Sequence, residues 1–397
     1  MNEIPRRVMH DIKPTAALIQ KGLDAVLDKA IADRKIVGGV LRVSLHGQRV
    51  YERAVGYADR ETRQSTKPDT LFRWASLTKP LMAALTLALT EREVIALEDP
   101  VTRFLPEFLP KTVEGKTPQI TVRHLLTHTA GLTYKLFETD RDGPYHRANV
   151  SDGMDQPGLS IQENLRRIAS APLAYAPGTS WGYSISTDVL GEYLARAAAT
   201  PLPTLMRTLV TEPLGAIDCG FTVAKQDRSR LATAYGDGER EPVRMGAHHL
   251  TAFREATLSF APDRMFNPDS YPSGGGGMSG TAEDFMRFLE GMRAGGAPIL
   301  SESSVAQLST VKPRDFEVTI PGWKWALGWP VLVDPSRTGT PQSPGSWLWG
   351  GVYGNSWFVD PRHELSVVLL TNTAIAGMVG PLPDAIRDAI YRGLGSG

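Results

Sequence analysis

LFRWASLTKPLMAALTLALTERE, residues 71–93, decides how the rest of the chain is read. From Leu77 to Glu93 the pattern is helical and apolar on most sides, with Leu81, Met82, Leu85, Leu87, Ala88 and Leu89, so the helix is expected in the interior between two layers. Pro80 falls in its first turn, where a missing N–H removes no helical hydrogen bond. The short apolar run Leu71–Ala75 leads directly into Ser76, and Ser76-Leu77-Thr78-Lys79 is an S-x-x-K motif. Positions i and i+3 share a helical face, so the Lys79 amine reaches the Ser76 hydroxyl. A serine alcohol is a weak nucleophile without such help, and a lysine this deep in an apolar helix needs a reason to be there.

Working outward, residues 15–34 read as an amphipathic helix, and 40–45 and 49–57 as strands of a hairpin joined at His46-Gly47. Residues 96–210 carry Pro and Gly turns and helical stretches near 160–170 and 187–199, with no convincing strand. Strand-like runs return at 323–333, 346–359 and 365–371, and a helix closes the pattern at 381–392. The expected fold is α/β (α+β), an antiparallel sheet flanked by helices. Residues 1–95 and 211–397 form the α/β domain, and 96–210 an inserted helical domain.

Three ordered motifs resemble the family VIII carboxylesterases, relatives of class C β-lactamases and penicillin-binding proteins: FRWASLTKP, WGYSIS (181–186) and LWGGVYGNSWFVDP (348–361). The segments at 120–132, 212–221, 273–288 and 369–373 look like family segments too, so the resemblance runs from about residue 20 to the C-terminus. It implies an esterase forming an acyl-enzyme on Ser76, with Lys79 and Tyr183 sharing the base role. It implies an oxyanion hole from the backbone N–H of Ser76 and Val352, and a substrate site including Tyr134, Trp349, Gly350 and Gly351. Where lactamases carry the Lys and Thr of the third motif this chain has Trp349 and Gly350, and where their second motif ends in Asn it has Ile185. Both changes remove polar anchors, which favours neutral esters over carboxylated lactams. The same machinery leaves acyl transfer, a β-lactamase or D,D-peptidase activity, and a silent ligand-binding relative as alternatives.

Other motifs are weaker. Gly178-Thr179-Ser180-Trp181-Gly182 fits the α/β-hydrolase elbow G-x-S-x-G, but two prolines break the segment before it, so a loop leading into Tyr183 is expected. His124 and His128 stand four apart without the glutamate of a zinc helix and read as backbone-bonded histidines. The tryptophans at 323, 325, 329, 347 and 357 read as core and sheet surface, and Gly274–Gly277 as a flexible loop near the site.

Lys+Arg and Asp+Glu both number 43, so no basic excess points to nucleic acid or an anionic membrane as partner. The expected partner is a small-molecule ester, with no cofactor and no metal. Cys219 is the only cysteine, and no apolar run approaches the length of a bilayer span. A cytoplasmic protein is expected.

Overall fold

His46 and Gly47 both take positive φ, 53° and 72°, the backbone of a tight two-residue hairpin whose twist matches its strands. They join β1 (Gly38–Leu45) to β2 (Gln48–Asp59), close to the predicted hairpin. The computed structural model describes residues 6–311 and 316–395, the side chains of 6–13 aside. A short β3 (Gln64–Ser65) follows β2 at the sheet edge. The C-terminal third adds β4 (Trp323–Trp325), β5 (Pro330–Leu332), β6 (Trp347–Gly351), β7 (Asn355–Asp360) and β8 (Leu365–Thr371). The order across the sheet is β4-β5-β6-β7-β8-β1-β2-β3, every neighbouring pair antiparallel, with β8 and β1 joining the two ends of the chain.

Both β1 and β8 are buried along their whole length, which accounts for the continuous apolar run of β8 where a one-faced strand would alternate. On one face, α1 (Arg6–Ala32) and the closing helix α5 (Pro381–Gly393) cover Leu41, Val43, Val367 and Leu369. The other face, with Val40, Val368 and Leu370, belongs to the large core built around α2 (Thr78–Glu91). Every residue of α2 from Thr78 to Leu89 is buried, as its all-round apolarity predicts. Against it packs α3 (Ser186–Ala197), while α4 (Ala282–Arg293), started by a capping box between Thr281 and Asp284, lies on β1 and β8 in the same core.

No named strand falls within residues 96–210, and the helices Ile161–Ser170 and Ser186–Ala197 lie where the periodicity puts them. The runs at 323–333 and 346–359 each resolve into two strands. The hairpin of His249–Phe253 and Ala256–Phe260, and the helix α4, were not foreseen. No helix among the described residues is long and apolar enough to cross a membrane.

Candidate active site

Ser76 sits in a 3₁₀ turn, Ala75–Leu77, that runs straight into α2. Ala75 ahead of it has φ 48°, a left-handed conformation costing a non-glycine residue roughly 1–3 kcal/mol. The surroundings hold it there. Thr78 Oγ1 donates to the Ala75 carbonyl at 2.8 Å and accepts the Met278 N–H at 3.2 Å, while the Trp74 N–H bonds the Met278 carbonyl at 2.9 Å. Trp74 is fully buried, its ring edge-on to Phe285.

One turn on, Lys79 is buried, and its Nζ lies 3.3 Å from Ser76 Oγ, as the i, i+3 spacing predicts. The same nitrogen donates to the Gly275 carbonyl at 2.6 Å. Gly275 is fixed from behind, since its N–H donates to Asp188 Oδ1 at 2.6 Å. Buried Asp188 also accepts Ser273 Oγ at 2.7 Å and the Tyr271 hydroxyl at 2.8 Å. Burial pushes the Asp188 carboxyl up, and these donors pull it back. Gly274 leaves no room for a side chain, because a Cβ there would stand 2.3 Å from the Thr187 carbonyl oxygen. The glycine run read as a flexible loop is instead a hydrogen-bonded wall that seats the lysine.

Tyr183 faces Lys79 from the other side, with Nζ 4.6 Å from its ring centre. Its hydroxyl accepts the indole N–H of Trp349 at 3.1 Å, which leaves the phenolic proton for another acceptor. His128 holds the backbone on both sides of Tyr183. The His128 carbonyl accepts the Gly182 N–H at 3.0 Å, and its Nδ1 accepts the Ser184 N–H at 3.3 Å. The His128 ring packs against Tyr183 and Trp325, and burial, then the charge of Lys79, keeps its pKa well below the ordinary value. Tyr134, also buried, lies against Tyr183 and is kept protonated first by burial and then by that neighbour.

The third wall is β6 and the turn after it. A Cβ on Gly351 would stand 2.3 Å from the Trp74 carbonyl oxygen, so glycine is what lets this strand close on the Ser76 turn. Asn355 ties the two together: its Nδ2 donates to the Arg73 carbonyl at 2.7 Å, and its Oδ1 accepts the Thr371 N–H at 3.1 Å. Gly350 turns to the opposite face, where a Cβ would meet Met378 Cγ at 2.5 Å. Ser76, Tyr134, Tyr183, Trp349, Gly350 and Val352 all border one cavity of about 820 Å³, within the usual range for a small-molecule site. Trp181, Trp323, Phe253 and Leu258 border it as well, and Ile185 is buried with its N–H on the Thr133 carbonyl.

Ser180 stands in an irregular loop with no strand before it. His124 Nδ1 accepts the Thr121 N–H in a helix-capping box, the backbone role expected of it. Among the described residues no cluster of His, Cys, Asp or Glu is placed to hold a metal. Sequence reading did not single out Asp188, Asn355, Gly275 as the lysine's acceptor, or the hold of His128 on Tyr183. Asp188 gave no signal of its own, since Ser186-Thr187-Asp188 reads as an ordinary polar helix start.

Comparison with known proteins adds four findings. A family model described as Beta-lactamase matches residues 23–390. The chain is 47% identical over 379 residues to Esterase EstB of Burkholderia gladioli, covering 95% of this chain and 96% of that one. It is similar in structure to EstCE1, described as a hydrolase with promiscuous acyltransferase activity, with TM-score 0.91, 40% identity, and coverage of 95% and 99%. A class C beta lactamase from Rhodobacter sphaeroides shares the fold at 18% identity, with TM-score 0.65 over 94% of this chain.

Proposed function

Since the chain belongs to the beta-lactamase family and is a serine carboxylesterase, we propose that Ser76 is its nucleophile, with Lys79 and Tyr183 sharing the proton transfers. The observation that carries this is the 3.3 Å contact of Lys79 Nζ with Ser76 Oγ, held by the Gly275 carbonyl. Ser76 Oγ bonds to the ester carbonyl carbon while its proton passes to the Lys79–Tyr183 pair. The carbonyl π pair moves onto oxygen, which takes hydrogen bonds from the backbone N–H groups of Ser76 and Val352. Collapse breaks the bond to the alcohol oxygen, which leaves with the proton delivered through Tyr183. Water repeats the sequence on the acyl-serine and frees the acid.

The substrate is a small-molecule ester with small to medium acyl groups, and Tyr134 and Trp349 line its site; Gly350 borders the cavity from the other face of β6, while Gly351, expected in the substrate site, is buried against the Trp74 carbonyl and acts by letting the strand approach Ser76. Trp349 and Ile185 fill the positions of the lactamase polar anchors, which supports a neutral ester over a carboxylated lactam. Within the family we place the chain among the family VIII carboxylesterases. We also assign 1–95 with 211–397 to an α/β domain, 96–210 to a helical one, and the protein to the cytoplasm. Acyl transfer is the second reading: Trp181, Trp323, Trp349 and Leu258 give the cavity apolar wall on which an organic alcohol can compete with water for the acyl-serine.

The test is hydrolysis of p-nitrophenyl acetate and butyrate by wild type, Ser76→Ala and Ser180→Ala, with intact mass to trap the acyl-enzyme. Loss only in Ser76→Ala, with the adduct on Ser76, is the expected result. Turnover that survives in Ser76→Ala overturns the assignment.

A further inference from the structure

The cavity does not end at the catalytic serine. Its lining also includes Phe358, Val367, Leu369 and Ile386, which belong to the apolar layer between the sheet and α5. That layer is on the other side of the sheet from Ser76. Along β6 the side chains alternate, so Trp349 and Gly351 face the serine while Leu348 and Gly350 face α5. The passage from one face to the other follows from the strand pairing. β5 pairs with β6 only at Val331 and Trp347, so the outer edge of β6 from Leu348 to Gly351 has no strand beside it among the described residues. Leu348 stands at this open edge and packs against both the aromatic cluster of Trp323 and Trp325 and the layer beneath α5.

We propose that this back-face slot receives an unbranched, uncharged alkyl chain carried on one arm of the ester bound at Ser76, making the enzyme selective for chain length. The inference rests on the assignment of Ser76 as nucleophile. Continuity with the catalytic cavity names the occupant, because whatever fills the slot is attached to what reacts at the serine. The walls name its chemistry. Phe358, Val367, Leu369 and Ile386 are all under a tenth exposed and offer no polar side-chain atom, while Thr340 and Gln342, which also border the cavity, are uncharged and hydrogen-bonded to each other. Arg387 at the rim is paired with both Asp384 and Asp388, so it presents no unpaired charge to a carboxylate. A bend round a single strand edge admits a thin flexible chain more readily than a ring.

The experiment measures kcat/KM for p-nitrophenyl esters from acetate to decanoate and for alkyl acetates from ethyl to decyl, on wild type, Leu348→Trp and Met378→Trp. Leu348 is partly exposed on a strand that tolerates tryptophan, and Met378 lies on the loop over Gly350 at the opposite wall. In one of the two series the wild type is expected to gain roughly fourfold per methylene once the chain turns the edge of β6. Either variant, checked as folded by circular dichroism, then loses at least tenfold in the ratio of the decyl-chain to the two-carbon substrate. Which series responds identifies the arm, acyl or alcohol, and either supports the slot. A profile flat beyond butyrate in both series, or an unchanged ratio in both folded variants, overturns it. Turnover persisting in Ser76→Ala is the separate result that removes the underlying assignment.

Discussion

Gly351→Ala tests the closure of β6 on the Ser76 turn. The added Cβ would stand 2.3 Å from the Trp74 carbonyl oxygen, 3.3 Å from the Trp74 carbonyl carbon and 3.2 Å from Leu77 Cδ1. Ordinary contact requires about 3.4 Å, so strand and turn must separate by about 1 Å. Neither side yields easily. The turn is bonded through Trp74 to Met278, and β6 is paired with β7 at Trp349–Trp357, Gly350–Ser356 and Gly351–Asn355. The clash is with backbone, and overpacking of this kind costs about 1–3 kcal/mol of stability. Its kinetic effect is larger in kind, because the separation opens the gap between the N–H groups of Ser76 and Val352. A misplacement near 1 Å costs on the order of 10²-fold, or about 2.7 kcal/mol of transition-state stabilisation. The assay is steady-state hydrolysis of p-nitrophenyl butyrate with the burst of acylation resolved by stopped flow. The expected result is a fall in kcat and in acylation rate of about a hundredfold with KM changed little, in a protein that still melts cooperatively. A variant that keeps acylation within twofold of wild type would refute the reasoning, since the strand would then have closed without needing glycine.

Trp349→Phe keeps the apolar wall but removes the N–H given to the Tyr183 hydroxyl, and a lost hydrogen bond of about 1 kcal/mol lowers kcat roughly fivefold in the same assay. His128→Leu releases the Ser184 N–H that positions Tyr183 and lowers kcat about tenfold, on the same scale for a bond left unmade, while His128→Asn, which restores an acceptor, recovers most of it. His128 also sets a pH dependence of stability. Its folded pKa lies well below 6.5, so as pH falls under 6.5 the unfolded chain binds a proton that the folded one refuses, and stability is lost. Thermal melts from pH 7.5 to 5 are expected to drop more steeply for wild type than for His128→Asn.

The parts of this molecule legible in the sequence are those whose partners are near in the chain. Ser76 and Lys79 meet because three residues of helix bring them together, and the β1–β2 hairpin closes on two adjacent residues able to take positive φ. The apolar composition of α2 and β8 fixed their burial for the same reason, since a segment without a polar face has no side to show to water. The buried supports are different. Asp188 reaches Gly275 across 87 positions and Asn355 reaches Arg73 across 282, and no periodicity records which backbone group a side chain will meet. The glycine run was misread for a related reason: glycine signals backbone freedom in the unfolded chain, while here it allows the backbone to approach the Thr187 carbonyl and be held there.

The tryptophans show how far composition carries and where packing takes over. Trp329, Trp347 and Trp357 form one contacting group inside the core, Trp347 and Trp357 on paired strands and Trp329 in the turn before β5, its ring tilted on Trp347 and edge-on to Trp357. Trp325, on the same strand as Trp323, instead closes a ring of aromatics around Tyr183 with His128 and Trp349, its own indole N–H bonded to the Leu126 carbonyl. Tyr183 therefore stands in an environment that excludes water from every side but that of Lys79 and the cavity. In such surroundings the hydroxyl's proton has few acceptors to choose from. Trp349, which borders the cavity, is also bonded to the Tyr183 hydroxyl, so on the proposed mechanism an apolar substrate site and an insulated proton carrier follow from one residue.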